Sequence, residues 1–474
     1  MSISRNTALN LGGAFIPIAL TLGTLPLYLN AIGNERFGVI SIVWIFVGYF
    51  GLFDLGLGRA TAQKIASTTD DNSTQTSEIL WTALTINTAF GILGGSILFP
   101  IANWFFLEKF NIQEELKNEI IHAIPWMAVA VPLTTITGVI TGALEGKEKF
   151  LQINIINITS TSAIQIIPLI IATYISPNLS LLLCAIISIK ILTIILLFIS
   201  CQKNIRYIYP AKINFNIAPE LFKFGGWVTI SSTITPLMVM LDRFMIGAIS
   251  GATSVTYYTI PFNLASRITI IPRSLSSALF PKFANKNNNN ELYIYAIKTL
   301  LAAITPLTII GIIIMPQFLS WWISHEFALE AAPTGIIILI GLWTHSLAYI
   351  PYAQLQAKGK PDVVAKCHLV ELPFYLITLY FALKNFGIIG AAVVWSVRAS
   401  IDAIALFYLN KNINGIVKPV FLSFLMIITS SASSYYISSN KIAGIALAII
   451  SLIGGFALAW KHAPKKILNK IKLR

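Results

Sequence analysis

Residues 179–201 read LSLLLCAIISIKILTIILLFISC, and they carry a single charge, Lys190, in the middle of an otherwise apolar stretch. A helix of about 20 apolar residues spans the hydrocarbon core of a bilayer, which is roughly 30 Å thick. A Lys or Arg at the centre of such a helix costs roughly 2.5 to 3.5 kcal/mol, so it is expected to face a partner, a cavity or a substrate. This stretch therefore predicts both a membrane span and a candidate functional residue.

The composition of the whole chain agrees with a membrane protein. Of its 474 residues, 56% are hydrophobic and 11% are charged, and the mean hydropathy is +0.76. A soluble chain has about twice that charged fraction. The apolar stretches are continuous instead of alternating, which excludes a β-barrel. We predict an all-α polytopic membrane protein with about fourteen transmembrane helices, at approximately 8–32, 37–58, 79–102, 120–143, 151–175, 179–201, 222–249, 254–280, 292–323, 331–357, 363–384, 386–409, 418–438 and 441–460.

The basic residues between these spans predict the orientation, because cytoplasmic loops carry an excess of Lys and Arg. Of the 33 basic residues, 24 fall on one side of the predicted membrane, five on the other and four within spans. We therefore expect both termini in the cytoplasm. The net charge of +14 needs no nucleic acid to explain it, since topology and attraction to anionic lipid headgroups are sufficient.

The two halves of the chain show a weak internal repeat. Gly12-Gly13 corresponds to Gly225-Gly226, Ile32-Gly33 corresponds to Ile246-Gly247, and Lys64 matches Lys282 after an insertion of about four residues. Six spans per half give both halves the same orientation, which predicts an axis along the membrane normal and a cavity between two lobes. The predicted parts are an N-terminal lobe (1–202), a cytoplasmic linker (203–221), a C-terminal lobe (222–410), and spans 13 and 14 with a basic tail (411–474), which resemble an appendage.

Charged residues within the predicted spans are the candidate functional residues. The four bases are Lys190, Arg243, Arg267 and Arg398, and the four acids are Asp54, Asp242, Glu371 and Asp402. Arg398 and Asp402 are four residues apart on one helical face, which favours an internal ion pair. Asp242 and Arg243 are about 100° apart around their helix, so we expect them to point to different neighbours.

Lys190 and Arg267 have no acid within four residues on their own helices. They are candidates for binding a diphosphate, which compensates a buried cation and suits the bidentate geometry of arginine. An ion pair with Asp242 or Glu371 is an equally good alternative. The candidates for substrate binding are thus Lys190, Arg267, Arg243 and Arg398, with Arg59 and Arg273 near the cytoplasmic ends of spans.

His368 and Glu371 are three residues apart, so they share one face of a helix. Such a pair fits a proton relay that couples transport to a gradient, while pairing of Glu371 with an arginine is the alternative. The candidates for ion coupling or internal ion pairs are Glu371, His368, Asp402, Asp242 and Asp54. We predict no metal and no cofactor, with a proton or sodium gradient as the source of energy.

Sequence motifs of enzymes are absent: there is no Walker A loop, no H-E-x-x-H and no G-x-S-x-G. These features, together with the motif resemblance given in the next paragraph, leave three classes of function to compare. A lipid-linked glycan flippase predicts a net cationic cavity, whereas a multidrug cation antiporter predicts embedded acids without excess bases. A membrane glycosyltransferase or polymerase predicts a large periplasmic loop or a catalytic acid cluster, but the longest predicted non-cytoplasmic loop, around 103–119, is short.

Several short motifs, in this order, resemble those of the O-antigen repeat-unit flippases. They are GNERFG (33–38), FGLFDLGLGRA (50–60), LDRFMIG (241–247), YTIPFNLASR (258–267), QAKGKP (356–361), HLVE (368–371), and GIIG (387–390) followed by Trp395 and Arg398. These flippases belong to the superfamily of multidrug, oligosaccharidyl-lipid and polysaccharide exporters. The likeness covers nearly the whole chain.

The resemblance implies a function and its partners. It implies that an undecaprenyl-diphosphate-linked oligosaccharide is moved from the cytoplasmic to the periplasmic leaflet of a bacterial inner membrane by alternating access. By the same analogy, spans 1–6 and 7–12 form the lobes, a cationic cavity takes the diphosphate and sugars, and spans 13 and 14 guide the lipid tail. An O-antigen polymerase and a chain-length regulator are the implied protein partners.

Overall fold

The computed structural model of the chain describes residues 3–50, 54–68, 73–205, 213–219, 240–284, 289–358, 361–410 and 415–462. Within these ranges the regular structure is helical, and ten helices are long and apolar enough to cross a membrane. The prediction of an all-α polytopic membrane protein is confirmed.

The described residues divide into two compact units. The first reaches to Met240 and also takes in Gly251–Val255, and the second holds Leu241–Ser250 and the chain from Thr256 onward. The predicted lobe and linker boundaries stay predictions, and residues 206–212 and 220–239 lie outside the described residues.

The helices of the first unit cover the first six predicted spans. They are α1 (Ile3–Phe50), α2 (Leu57–Ala66), α3 (Ser73–Trp104), α4 (Glu114–Gly146), α5 (Phe150–Tyr174) and α6 (Leu179–Asn204). A π-helical turn, Phe105–Lys109, extends α3, so only residues 110–113 lie between it and α4. The predicted 103–119 loop is therefore mostly helical.

The second unit takes in a helical segment, α7 (residues 240–250), apart from its first residue, Met240. It continues with α8 (Ala252–Ser266), α9 (Ile270–Ala284), α10 (Asn289–Trp322), α11 (His325–Ala357), α12 (Pro361–Asn410), α13 (Val417–Ser439) and α14 (Lys441–His462). Residues 222–239 of the predicted seventh span lie outside the described residues.

Two of the long helices contain a glycine that divides them into two predicted spans. Gly33 in α1 has φ 79° and ψ 166°, and Gly387 in α12 has φ 58° and ψ −144°. Glycine adopts such positive φ values without the steric cost that other residues incur. The span Lys366–Asn410, with its 45 residues, would be about 68 Å long as one straight helix, more than twice the hydrocarbon thickness. The sequence-based division at these two glycines is confirmed.

The motif around Gly33 has a structural role. After the turn, the Arg36 guanidinium forms a bidentate pair with Glu119 of α4, with Nε–Oε2 and Nη2–Oε1 distances of 3.2 and 2.5 Å. Glu119 also accepts a hydrogen bond from the backbone N–H of Leu179, at the start of α6. One carboxylate therefore ties together three helices at this end of the unit.

Two predicted spans are wrong in their continuity. The predicted span 37–58 is not one continuous helix, because Leu55 and Gly56 have φ values of 48° and 68° before α2 begins at Leu57. The predicted span 254–280 is interrupted by a 3₁₀ turn, Arg267–Thr269, between α8 and α9. The second predicted span of each half is thus interrupted, at Leu55–Gly56 in the first half and at Arg267–Thr269 in the second.

The predicted repeat also needs a correction in its register. The glycine after α7 that takes a positive φ is Gly251, at 88°, and Gly247 lies within the helix. The structural counterpart of Gly33 is therefore four residues later than the Ile32-Gly33 and Ile246-Gly247 match indicates.

The last two helices are not an appendage. α13 and α14 pack against each other and both pack against α10. On α14 the buried residues are small, and Gly455 lies against Ile309 of α10. Small residues at such positions allow close helix approach in a membrane. The two helices are part of the second unit.

Candidate functional site

The second unit contains six charged or titratable side chains in its interior, which we call the C-terminal charge cluster: Asp242, Arg243, His368, Glu371, Arg398 and Asp402. Asp242 is fully buried. Its Oδ2 accepts a hydrogen bond from the Tyr258 hydroxyl at 2.8 Å, and its Oδ1 accepts one from the Arg243 backbone N–H at 2.7 Å. The Arg243 Nη1 atom lies 3.7 Å from the same Oδ1. The expectation that these neighbours point apart is wrong.

The guanidinium of Arg243 also lies over an aromatic ring. Its central carbon is 4.4 Å from the ring centroid of Phe262, and Phe262 meets Trp395 edge to face at 5.2 Å. A cation over an aromatic face is stabilised by the quadrupole of the ring, more strongly where water is excluded. Arg243 is buried, so these contacts and Asp242 indicate an internal role.

The remaining members of the cluster pair across the Gly387 kink of α12. The Arg398 Nη1 atom lies 4.0 Å from Glu371 Oε2, and His368 Nε2 lies 3.3 Å from Asp402 Oδ1. Two ion pairs thus join the two segments of α12, whereas the sequence spacing had favoured a pair between Arg398 and Asp402 along one segment. Glu371 therefore pairs with an arginine, which was the alternative to a proton relay with His368.

Aromatic residues and a histidine complete this interior. The Arg398 guanidinium carbon lies 5.4 Å from the ring centroid of Tyr375, and His345 of α11 lies beside Trp395, with ring centroids 6.3 Å apart. Sequence reasoning missed Tyr375, Trp395 and His345 as members of the cluster. For Tyr375 a signal existed, because it lies four residues after Glu371 and so on the same helical face.

In the first unit, Asp54 lies at the break between α1 and α2. Its Oδ1 accepts a hydrogen bond from Asn87 Nδ2 at 2.5 Å, and its Oδ2 is 3.4 Å from the N–H of Gly58. The same Asn87 amide also donates to the carbonyl of Thr135 at 2.9 Å. Arg59 interacts with Asp54 electrostatically. Asn87 was not a sequence-based candidate.

The other predicted anion-binding residues are more accessible. Lys190 is half-buried, and its Nζ is 3.5 Å from the Thr134 hydroxyl. Arg267, Arg59 and Arg273 are exposed. Among the residues that the structure describes, neither Lys190 nor Arg267 forms an ion pair, so the alternative of pairing with Asp242 or Glu371 does not describe their observed contacts.

Comparison with known proteins shows which family has this arrangement. A family model described as polysaccharide biosynthesis protein matches residues 32–332. The chain belongs to this family. It is 32% identical, over 86% of this chain and 98% of the relative, to a Shigella flexneri protein provisionally named an O-antigen transporter. It is also 23% identical, over 92% of this chain and 90% of the relative, to an uncharacterized membrane protein in the cps region of Klebsiella pneumoniae.

Solved structures support the same superfamily fold. A multidrug resistance MATE family transporter of the MOP superfamily, solved in an inward-facing conformation, matches at 14% identity and a TM-score of 0.68, covering 84% of this chain and 97% of that chain. The outward-facing conformation of such a transporter matches at 13% identity and a TM-score of 0.61, covering 86% and 94%. The family member described here therefore has a MATE-like transporter fold, and the resemblance inferred from its motifs is confirmed.

Proposed function

We propose that this protein is a flippase that moves undecaprenyl-diphosphate-linked O-antigen or similar oligosaccharide units from the cytoplasmic to the periplasmic leaflet of a bacterial inner membrane. Alternating access, driven by an ion gradient, is the proposed mechanism. The family membership, the MATE-like fold and the name of the Shigella flexneri relative support this function. Both termini are proposed to be cytoplasmic, and an O-antigen polymerase and a chain-length regulator remain the proposed partners.

The observation that carries this proposal is a difference in accessibility between the acids and the bases. In the second unit, Asp242, Glu371 and Asp402 are each in contact with a base of the C-terminal charge cluster. By contrast, Arg267 and Arg273 are exposed. A cationic drug needs an accessible carboxylate, whereas a diphosphate needs accessible bases. This distribution favours a lipid diphosphate over the multidrug cation alternative.

The enzyme alternative has less support. A glycosyltransferase or polymerase was expected to have a large periplasmic loop or a cluster of catalytic acids. The segment around 103–119 is largely helical, and the embedded acids of the second unit are paired with bases. A transporter that chemically alters no substrate needs neither feature.

We assign the ion coupling to His368 and Asp402. His368 Nε2 lies 3.3 Å from Asp402 Oδ1. His345, Tyr258 and Tyr375 are further titratable groups packed around the cluster. The Tyr375 hydroxyl and Trp395 Nε1 have no hydrogen-bond partner within the described part of the chain. Buried donors with unused capacity fit a network that changes partners during a transport cycle.

Deletion of the gene in its native strain tests the transport function. Complete lipid-linked repeat units should accumulate on the cytoplasmic face, because synthesis continues while translocation stops. Complementation with Arg267→Ala or Lys190→Ala should restore less O-antigen than the wild type at equal protein level. Incomplete repeat units would instead identify a transferase, and full complementation by both variants would refute the anion-binding assignment.

The coupling assignment needs a separate experiment. In vesicles with an imposed proton gradient, His368→Gln and Asp402→Asn should each transport at a rate that no longer depends on the gradient. The matched control is His325→Gln, since His325 begins α11 outside the cluster. An unchanged gradient dependence in both cluster variants, with folding intact, would remove coupling from this site.

A further inference from the structure

Polar residues of α5 lie on one face of this membrane-spanning helix. The helix contains no charged residue, yet it carries Asn157, Thr161 and Gln165 well inside its span. At about 100° per residue, Thr161 and Gln165 lie about 40° and 80° around the helix from Asn157. The three side chains therefore form one stripe, which we call the α5 polar face.

Two neighbouring helices flank the α5 polar face. On one side, Gln165 Nε2 donates a hydrogen bond to the Thr21 hydroxyl of α1 at 3.2 Å. On the other side, the Thr193 hydroxyl of α6 lies 2.7 Å from that of Ser160. Ser160 is about 60° around the helix from Asn157, in the direction opposite to Gln165. Asn157 thus points into the space between the contacts with α1 and α6.

The opposite side of α5 is apolar and exposed. Ile155 and Ile166 are 55% and 38% exposed. They lie about 160° and 180° around the helix from Asn157. Polar groups within a span face the interior of the bundle or a water-filled cavity, whereas apolar side chains face the lipid. The isoleucines therefore mark the lipid side of α5, and the α5 polar face points into the first unit.

Asn157 is exposed although it lies on the inward side of the helix. Within the described part of the chain, its side-chain amide forms no hydrogen bond. An amide without a partner is strongly unfavourable in apolar surroundings, so its partners are water or a ligand. The α5 polar face therefore borders a cleft of the first unit that admits water.

The α5 polar face has unused hydrogen-bonding capacity. The Thr161 hydroxyl donates to the Asn157 carbonyl at 2.6 Å, which leaves its lone pairs free to accept. Gln165 has a second N–H group beside the one that meets Thr21, and Asn157 offers two N–H groups and an oxygen. These groups are neutral and include both donors and acceptors. They are complementary to the hydroxyl and acetamido groups of a neutral sugar, whereas a drug cation or a phosphate is bound by opposite charge.

We propose that the α5 polar face binds neutral sugar residues of the transported oligosaccharide and contributes to the choice of sugar. This inference rests on the proposed flippase function and adds a site for the sugars. A site that hydrogen-bonds the hydroxyls of its substrate discriminates against analogues that lack them, because its polar groups are then left unpaired. Lys190, a base assigned to the diphosphate, extends from α6 to Thr134 of α4 instead of to this face.

Cysteine labelling tests where the α5 polar face points and what covers it. The native residues Cys184, Cys201 and Cys367 are first replaced by Ala, and the protein is reconstituted into proteoliposomes. Asn157→Cys should react with a membrane-impermeant thiol reagent at least about tenfold faster than Ile166→Cys, because the reactive thiolate forms in contact with water. Lipid-linked repeat units extracted from the deletion strain should slow this reaction. Undecaprenyl diphosphate, which carries no sugar, should not.

Two threonines of α5 provide a matched pair for transport measurements. Thr161 and Thr159 each donate to the carbonyl four residues earlier, but Thr159 is exposed on the lipid side, about 160° from Asn157. Thr161→Val keeps the shape of the side chain and should slow transport of the extracted repeat units about fivefold, the factor that corresponds to a hydrogen bond of about 1 kcal/mol. Asn157→Ala should slow it at least as much. Thr159→Val should transport at the wild-type rate, with all three variants at the wild-type level in the membrane.

Four results would overturn the proposal. Equal labelling of Asn157→Cys and Ile166→Cys would show that the α5 polar face borders no wet cleft, and equal protection by undecaprenyl diphosphate would show that it recognises no sugar. Disulfide-linked dimers of Asn157→Cys would identify the face as an interface between two copies of the chain. Wild-type transport by both Asn157→Ala and Thr161→Val would remove the face from the substrate path.

Failure of this proposal is distinguishable from failure of the proposed function. Accumulation of complete repeat units in the deletion strain would leave the flippase function intact even if the α5 polar face bound no sugar. Normal O-antigen in that strain would instead remove the function itself.

Discussion

Removal of one partner of the Arg398 and Glu371 pair should destabilise the protein far more than removal of both. The pair has a 4.0 Å separation, and its side chains are 11% and 13% exposed. Two unit charges at that distance interact by about 4 kcal/mol at an effective dielectric constant of 20. Arg398→Leu leaves Glu371 beside the like charge of Asp402, with His368 as the remaining base nearby.

The expected cost of Arg398→Leu is about 3 to 5 kcal/mol, the range measured when one member of a buried pair is deleted. The double variant Arg398→Leu with Glu371→Leu should recover most of this loss, because it leaves no uncompensated charge. The assay is the free energy of unfolding in mixed detergent and SDS micelles, followed by tryptophan fluorescence. Lys384→Leu, an exposed position of the same helix, should change stability by less than about 0.5 kcal/mol.

The result that would refute this reasoning is additivity. If the double variant lost as much stability as the two single variants together, the coupling energy would be zero. The pair across the Gly387 kink would then contribute nothing to the fold.

Two further predictions concern the first unit. Gly142→Ala should destabilise it by about 1 to 3 kcal/mol, because a Cβ there collides with a backbone carbonyl of α2, whereas Gly23→Ala meets no atom within 4 Å and should be neutral in the same unfolding assay. Asn87→Leu should cost about 1 to 3 kcal/mol by leaving the Asp54 carboxylate without its amide donor, and Asn103→Ala is the exposed control. Equal effects of a variant and its control would contradict either prediction.

Hydropathy was sufficient to predict the helical class and the division of α1 and α12 into two spans each, because an apolar stretch longer than the bilayer must turn. It did not predict the break at Leu55 and Gly56. Residues 50–60, FGLFDLGLGRA, are apolar apart from Asp54 and Arg59, and the positive φ of Leu55 and Gly56 depends on packing between helices. Window averages of hydropathy contain no such information.

The contacts of the charged residues were also not predictable from the sequence alone. The spacing of Arg398 and Asp402 favoured a pair along one helix, but the kink at Gly387 folds a second segment of α12 against the first and brings Glu371 and His368 to them. Lys190 and Arg267 were identified from their positions within predicted apolar spans, with no acid within four residues on the same helix. Their partners depend on tertiary structure.

Transport in proteoliposomes tests the central claim most directly. The purified protein is reconstituted into vesicles that contain a fluorescent undecaprenyl-diphosphate-linked oligosaccharide, and a membrane-impermeant reagent reports how much of it has changed leaflet. The account predicts protein-dependent movement that an ion gradient accelerates and that Arg267→Gln slows by about tenfold. Movement no faster than in empty vesicles, together with gradient-driven efflux of a cationic dye by the same preparation, would contradict it.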